Sequence, residues 1–470
     1  MGGIKQVAYF GVSTLVLKGL GFALLPISTR LLNQYQFGEL NFLVSISAVL
    51  SLLLCLGLPE LLFKQQTKTL IEKKALFRDC FVICAGFNCI FILLSFIFID
   101  KLTALLPITI NPFDLKLLIL NLAASSLLSI IFCYFRYYEM AKQFCCLAIL
   151  QGVGQTLLTV YLLWLGYGVT GVMVSGAICS SLILLVALNI VIKEVSVSFT
   201  NVKWSVSGSS SLFLLSIVVS SLFVYANNGA ENWFIVAKTS KETLAQYYVA
   251  LQFAVMTSFT FEPVRMWWFA RRFNELKADK ERYVYLCELS LEIGLVLCAI
   301  MLILAPIVFT LILPLSYQSN TWLLPTLILI VALRHHSDLL NIGCFIHRNA
   351  LFVTLNNGAS ALIVLGLLAL LVPSFGVLGA VIALLIAQVF KACMFFYFSQ
   401  NLEPLDFSAK RLTTSWVSFI SLYGVSIYHF SHQLVLQLVI MVIYLFFFYK
   451  KYRVEVQRFI TQYRGTAAHV

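Results

Sequence analysis

The sequence predicts an all-α integral membrane protein of about 14 transmembrane helices: two six-helix bundles followed by two C-terminal helices. Three observations predict it. Of the 470 residues, 61% are hydrophobic and 11% are charged, whereas charged residues make up roughly 25% of a soluble domain. Apolar windows of ~20 residues recur along the whole chain, and at ~1.5 Å per helical residue each can cross a ~30 Å hydrocarbon layer. The connections between these windows are short, which leaves no room for a soluble domain.

In order, the expected spans are 9–30, 38–62, 78–99, 115–135, 144–165, 169–192, 209–230, 244–269, 285–313, 321–346, 350–372, 376–399, 413–430 and 433–449. Tyr9–Leu32 is expected to be retained. It is too long for the apolar part of a signal peptide, and Thr29-Arg30 is not a small-residue cleavage site. Residues 1–200 and 201–405 would be the two bundles, and 406–470 the added helix pair with a basic tail. A weak internal repeat supports this division. Tyr167-Gly168-Val169-Thr170-Gly171-Val172 leads into span six as Phe375-Gly376-Val377-Leu378-Gly379-Ala380 leads into span twelve. The preceding turns also match, Cys133-Tyr134-Phe135-Arg136 against Phe345-Ile346-His347-Arg348. Both matches lie on the same side, so the copies would be parallel.

A net charge of +12 would suggest nucleic acid in a soluble chain. Here Lys and Arg sit in loops on one side, so no nucleic-acid partner is expected. With both termini cytoplasmic, the inner loops hold Lys64, Lys68, Lys73, Lys74 and Arg78, then Arg265, Arg271, Arg272, Lys277, Lys280 and Arg282. Arg136, Lys142, Lys193, Lys203, Arg348, Lys410, Arg411 and the tail cations Lys450, Lys451, Arg453, Arg458 and Arg464 also fall inside. The outer loops hold only Arg30, Lys101, Lys116, Lys238 and Lys241. The 12 cysteines lie mostly within apolar runs, have no zinc or disulfide spacing, and read as packing residues. No metal or other cofactor is expected.

Ionisable groups at membrane depth are the candidate functional residues, because each costs ~2.5–3.5 kcal/mol unless it faces protein or water. Lys18 sits near the middle of span one, on a stripe with Gly11, Thr14 and Gly21. That stripe suits a hydrated pathway; the other reading is a buried lysine paired elsewhere in the bundle. Lys391 in span twelve, like Lys18, has no opposite charge in its own helical neighbourhood. Glu60 and Lys64 lie one turn apart and can pair, as can Arg334 and Asp338, while Glu262 and Arg265 flank Pro263 near the headgroups. Glu288 and Glu292 share a face of span nine. They form either a proton or cation site, since two close carboxylates resist joint ionisation, or an anchor for Lys or Arg from a neighbouring segment. His335-His336 and His429/His432 read as interface histidines rather than as a pH sensor. Asn227, Asn228 and other amides and tyrosines within the spans suit a sugar, and equally suit interhelical hydrogen bonds.

Lys18-Gly19-Leu20-Gly21-Phe22, Leu25-Pro26-Ile27-Ser28-Thr29-Arg30-Leu31-Leu32 and Phe37-Gly38-Glu39-Leu40 resemble the opening signature of the polysaccharide-unit (O-antigen, Wzx-type) flippases. These belong to the multidrug/oligosaccharidyl-lipid/polysaccharide exporter superfamily, whose fold is MATE-like. The span count and the paired six-helix copies agree, although only the first forty residues are distinctive. One departure is clear: where members commonly carry an Asp-Arg pair at the end of span seven, this chain reads Asn228-Gly229-Ala230-Glu231-Asn232-Trp233. The resemblance implies export of undecaprenyl-pyrophosphate-linked oligosaccharide units across a bacterial inner membrane by alternating access, with no enzymatic step. It also implies contact with polymerase and chain-length machinery. Lys18, Lys391 and Arg334 would compensate the pyrophosphate, with Asn227 and Asn228 on the glycan and Glu288 and Glu292 as the ion-coupling candidates. The rivals are a peptidoglycan-precursor flippase, disfavoured by the lack of a visible arginine cluster, and a drug exporter, disfavoured by span count. A membrane glycan polymerase is disfavoured by its need for a large outer loop.

Overall fold

The computed structural model describes residues 2–64, 70–195, 208–320, 322–346, 351–428 and 432–467. Lys68, Lys203, His347, Arg348 and His429 lie outside them. Among the described residues the chain is helical throughout, without strands. The first helices are α1 (Gly2–Leu31), α2 (Gln34–Cys55), α3 (Leu58–Lys64), α4 (Leu70–Ile97), α5 (Ile99–Ala104) and α6 (Pro112–Tyr137). Next come α7 (Ala141–Trp164), α8 (Gly168–Val195), α9 (Gly208–Ala226), α10 (Glu231–Lys238), α11 (Lys241–Ala278) and α12 (Lys280–Ile312). The last are α13 (Leu323–Leu339), α14 (Gly343–Ile346), α15 (Leu351–Leu402), α16 (Ala409–Ile427) and α17 (Gln433–Ala467).

The described part of each expected span falls on one or two of these helices. Nine helices among the described residues are long and apolar enough to cross a membrane, or ten if the bent pair α9–α10 is one span. One of the nine, α15, is 52 residues long and breaks at Gly376, so it supplies spans eleven and twelve. The chain is a multi-pass membrane protein.

Local chemistry explains where helices start and stop. Asn33 caps α2 through a reciprocal box: its Oδ1 accepts from Gln36 N at 2.8 Å, and its own N–H donates to Gln36 Oε1 at 3.3 Å. Asp279 caps α12 by accepting from the amides of Glu281 and Arg282. Span two, expected to run unbroken over 38–62, is interrupted. Leu56 and Gly57 take left-handed φ values of 53° and 67°, and α3 starts afresh. Pro59 has no N–H to give to the Cys55 carbonyl, so the break falls where a helical hydrogen bond would be lost in any case. The glycines of the two repeat motifs, Gly168 and Gly376, share a left-handed φ of 56° and 55°.

The chain forms two compact units. The first comprises Met1–Gln246 with Leu368–Gly376, and the second Tyr247–Leu367 with Val377–Val470. These units are not coextensive with the sequence copies, since the first runs past residue 200. In the first unit α6 packs on α8, α7 on α1, and α4 on α6. Its core gathers Phe77, Tyr134, Phe135, Ile130 and Ile131. In the second, α12 packs on α13, α16 and α17. There Trp268, Tyr283, Leu291 and Leu339 form a buried cluster. The cysteines are free thiols, and most are buried or half-buried, as packing residues should be.

Candidate functional site

In the first unit, Lys18 is half-buried on α1. Leu17 and Leu20 of the same helix press against Gly152 of α7, where a Cβ would clash with Leu17. The stripe of Gly11, Thr14 and Gly21 is exposed, and a Cβ built on either glycine meets nothing within 4 Å. The small-residue face therefore lies open, while the leucine face holds the helix in place.

A second cluster lies wholly in the second unit and joins residues distant in sequence. Arg265 on α11 pairs with Glu262 at 2.8 Å and reaches Asp338 on α13 at 3.6 Å. Asp338 also lies in the electrostatic field of Lys391, Arg334 and Arg272. Asp338 thus lies within electrostatic range of four cations, one of which, Arg265, also pairs with Glu262. Arg272 is 5% exposed; it donates to Asn341 Oδ1 at 3.3 Å, and its guanidinium lies 4.1 Å from the Phe269 ring centre. Lys391 is half-buried on the second segment of α15. That segment is held in register by Gln388, which donates to Ser337 at 3.2 Å, and by Asn356, which donates to the Lys391 carbonyl at 3.1 Å. Asp338 thus finds a partner across helices, in Arg265, beyond the Arg334 expected on its own helix. No arginine cluster is visible along the sequence, yet Arg265 contacts Asp338, and Arg272 and Arg334 lie within its electrostatic range, because helix packing joins α11 to α13.

Glu288 and Glu292 are 1% and 2% exposed, and each carboxylate is occupied. Glu288 accepts from Arg411 at 2.9 Å and from Ser408 N at 2.6 Å. Glu292 accepts from Ser415 Oγ and, at 3.2 Å, from Lys451 Nζ. Lys451 also donates to Ser415 Oγ at 2.7 Å and to the Arg411 carbonyl at 3.0 Å. Both acids therefore hold basic residues of α16 and α17, and of the two readings open in the sequence the geometry favours the anchor.

Asn227 and Asn228 close the end of α9. Their amides donate to the carbonyls of Phe223, at 2.8 Å, and Val224, at 2.6 Å. Tyr225 links the same end to α2, exchanging a hydrogen bond with Ser45 Oγ at 2.8 Å and accepting from Trp233 Nε1 at 2.8 Å. The histidine pair is buried between helices: His335 lies 4.3 Å from the Phe261 ring, and His336 lies 4.8 Å from Trp416. Gly294 leaves room for the His335 ring, which a Cβ there would strike. The expected Glu60–Lys64 pair is absent; Lys64 Nζ sits 3.7 Å over the Phe213 ring instead.

Sequence reasoning missed one site. Lys241, counted only as an outer-loop cation, is 5% exposed and fully used. Its ammonium donates to Glu39 Oε2 at 2.9 Å, to the Tyr35 hydroxyl at 2.9 Å and to the Thr109 carbonyl at 2.8 Å. The Lys241 backbone lies so close to Gly38 that no Cβ fits between them. The Phe37-Gly38-Glu39 run was the available signal: its glycine admits the strand of backbone and its glutamate neutralises the lysine.

Bundled apolar helices, broken at Gly57 and Gly376, make a multi-pass membrane fold. The chain belongs to the polysaccharide biosynthesis protein family, whose model matches residues 4–269. Among solved structures it is similar to the lipid II flippase MurJ in an inward closed conformation, at 13% identity and a TM-score of 0.67. That match covers 95% of this chain and 99% of MurJ. It is also similar to the Vibrio cholerae MATE transporter VcmN in the bent form, at 14% identity and a TM-score of 0.51, covering 88% and 98% of the two chains. These likenesses concern the fold. No curated protein matches the sequence.

Proposed function

We propose that the protein is a flippase for undecaprenyl-pyrophosphate-linked oligosaccharide units, of O-antigen or capsule type, in a bacterial inner membrane with both termini cytoplasmic. One observation carries the reading: cations exceed carboxylates around Asp338, with Arg265, Arg272, Arg334 and Lys391 against Asp338 and Glu262. Clustered positive charge at membrane depth favours an added anionic partner, and a pyrophosphate supplies one. The planar guanidinium groups would engage phosphate oxygens in pairs, and Lys391 would act as a point charge. Lys18 supplies a further cation beside the open face of α1. Asn227 and Asn228 would offer amide groups to the glycan, and the polyprenyl tail would stay in lipid. Outward movement of an anionic head is favoured by ~2.3 kcal/mol per charge per 100 mV in an inside-negative cell. Glu288 and Glu292 are assigned to anchoring α16 and α17 rather than to ion coupling. Polymerase and chain-length proteins would take the product on the far side.

A second reading has a specific observation behind it. The convergence of Arg265, Arg272 and Arg334 is the feature expected of a peptidoglycan-precursor flippase, whose cargo carries the same pyrophosphate. Deletion of the gene in its host separates the two: accumulation of a lipid-linked surface-polysaccharide unit inside the cell supports the first, and accumulation of peptidoglycan precursor supports the second. Accumulation of neither refutes both.

A further inference from the structure

Within the first unit, the break between α2 and α3 opens on a cavity of about 490 Å³ bounded also by α6 and α9. Non-helical backbone at membrane depth is tolerated where it is buried in protein or lines a wet cavity, and in transporters discontinuous helices mark binding sites. Cys55, Gly57 and Glu60 bring that broken segment to the cavity wall. Five serines face the same space: Ser51, Ser125, Ser126, Ser129 and Ser221.

The hydroxyl protons are largely committed. Ser51 donates to the Ala48 carbonyl at 3.0 Å, Ser125 to Asn121 Oδ1 at 3.4 Å, and Ser126 to the Ala123 carbonyl at 2.9 Å and Asn88 Oδ1 at 3.2 Å. A hydroxyl that has placed its proton keeps lone pairs to accept with. Glu60 adds a carboxylate that makes no ion pair among the described residues. The wall therefore presents these acceptors together with one cationic donor, the Arg136 guanidinium, which donates to Cys133 Sγ at 2.9 Å, and Leu122 and Ile217 add apolar surface between them. A bare cation would need its ligands drawn in to ~2.3–2.6 Å, which a space of this size does not provide. The volume lies in the ~300–1,000 Å³ range of small-molecule sites. A group with many hydroxyl donors and apolar ring faces fits both the size and the chemistry.

We propose that this cavity of the first unit binds a sugar ring of the transported glycan. The proposal rests on the flippase reading above, and the test keeps the two apart. The full-length protein in proteoliposomes is assayed with two probes, undecaprenyl pyrophosphate bearing N-acetylglucosamine and bare undecaprenyl pyrophosphate. S125L fills the cavity, and S125A/S129A/S221A removes hydroxyls without adding volume. Both are expected to slow the glycosylated probe about tenfold, the loss expected when hydrogen-bond partners for a bound polar group are removed or blocked, and to leave the bare probe unchanged. In parallel, S221C is labelled with a charged maleimide, read peptide by peptide, with and without N,N′-diacetylchitobiose. The disaccharide is expected to slow labelling at position 221 and not at the exposed Cys146. Equal slowing of both probes, or labelling indifferent to the disaccharide, overturns the sugar site. If neither probe crosses in the wild-type protein, the flippase reading fails, and the labelling arm still decides whether the cavity takes a sugar.

Discussion

Glu39→Gln is the perturbation whose size the structure sets most directly. Lys241 is almost wholly buried, and three acceptors share its ammonium: one carboxylate, one phenol oxygen and one carbonyl. Glutamine keeps the size and a hydrogen-bonding oxygen, so packing is preserved and only the counter-charge is lost. Breaking a buried pair from one side costs ~3–5 kcal/mol. The two neutral acceptors remain, and Glu39 is itself 13% exposed, so about 2–3 kcal/mol of destabilisation is expected, the scale of one charge-assisted bond. Lys241→Met removes the buried charge altogether. The double variant should therefore be more stable than Glu39→Gln alone, with a coupling of about 2 kcal/mol in a double-mutant cycle. The assay is reversible unfolding of purified protein in mixed micelles, followed by circular dichroism. Additivity of the two single changes within ~0.5 kcal/mol would show that the charges do not interact, and would remove the account of the Phe37-Gly38-Glu39 run.

Further predictions follow from the same geometry. Gly38→Ala forces a Cβ into the Lys241 backbone and should lower folded protein yield sharply, as measured by size-exclusion recovery. Lys18→Ala should abolish surface-polysaccharide assembly at normal protein level and Lys18→Arg retain much of it; full activity of the alanine variant removes Lys18 from the transport path. Glu288→Gln with Glu292→Gln should loosen α16 and α17, exposing them to limited proteolysis, while leaving the pH profile of transport unshifted; a shifted profile would restore an ion-coupling role. Arg334→Ala with Lys391→Ala should cut transport of any pyrophosphate-linked probe at least about tenfold, and an unchanged rate would place the anion elsewhere.

Periodicity and apolar length sufficed for the fold, because a membrane span must satisfy its backbone internally and so announces itself by composition. The described part of each expected span lies mainly on helix. The break at Leu56-Gly57 was hidden because the flanking residues are apolar on both sides, and only Pro59 signalled it. Pairings across helices were less legible. Along the chain Arg334 and Asp338 look like a self-contained pair, and nothing local shows that Arg265 also reaches Asp338 or that Arg272 lies near it. Glu288 and Glu292 were visible as an unusual pair, but their partners come from residues 411 and 451, and two adjacent acids read the same whether they bind protons or lysines. Lys241 was the least legible, since an outer-loop lysine is ordinarily solvated. Its burial follows from a glycine two hundred residues earlier.

The central claim is that a pyrophosphate-linked sugar crosses the bilayer through this protein. The most direct measurement reconstitutes the purified chain in vesicles preloaded with undecaprenyl-pyrophosphate oligosaccharide and follows access of the glycan to an impermeant lectin. The account predicts lectin access that rises with time, depends on the protein, and is lost in the Arg334→Ala, Lys391→Ala variant. Access that matches protein-free vesicles, or that survives unchanged in that variant, would contradict it.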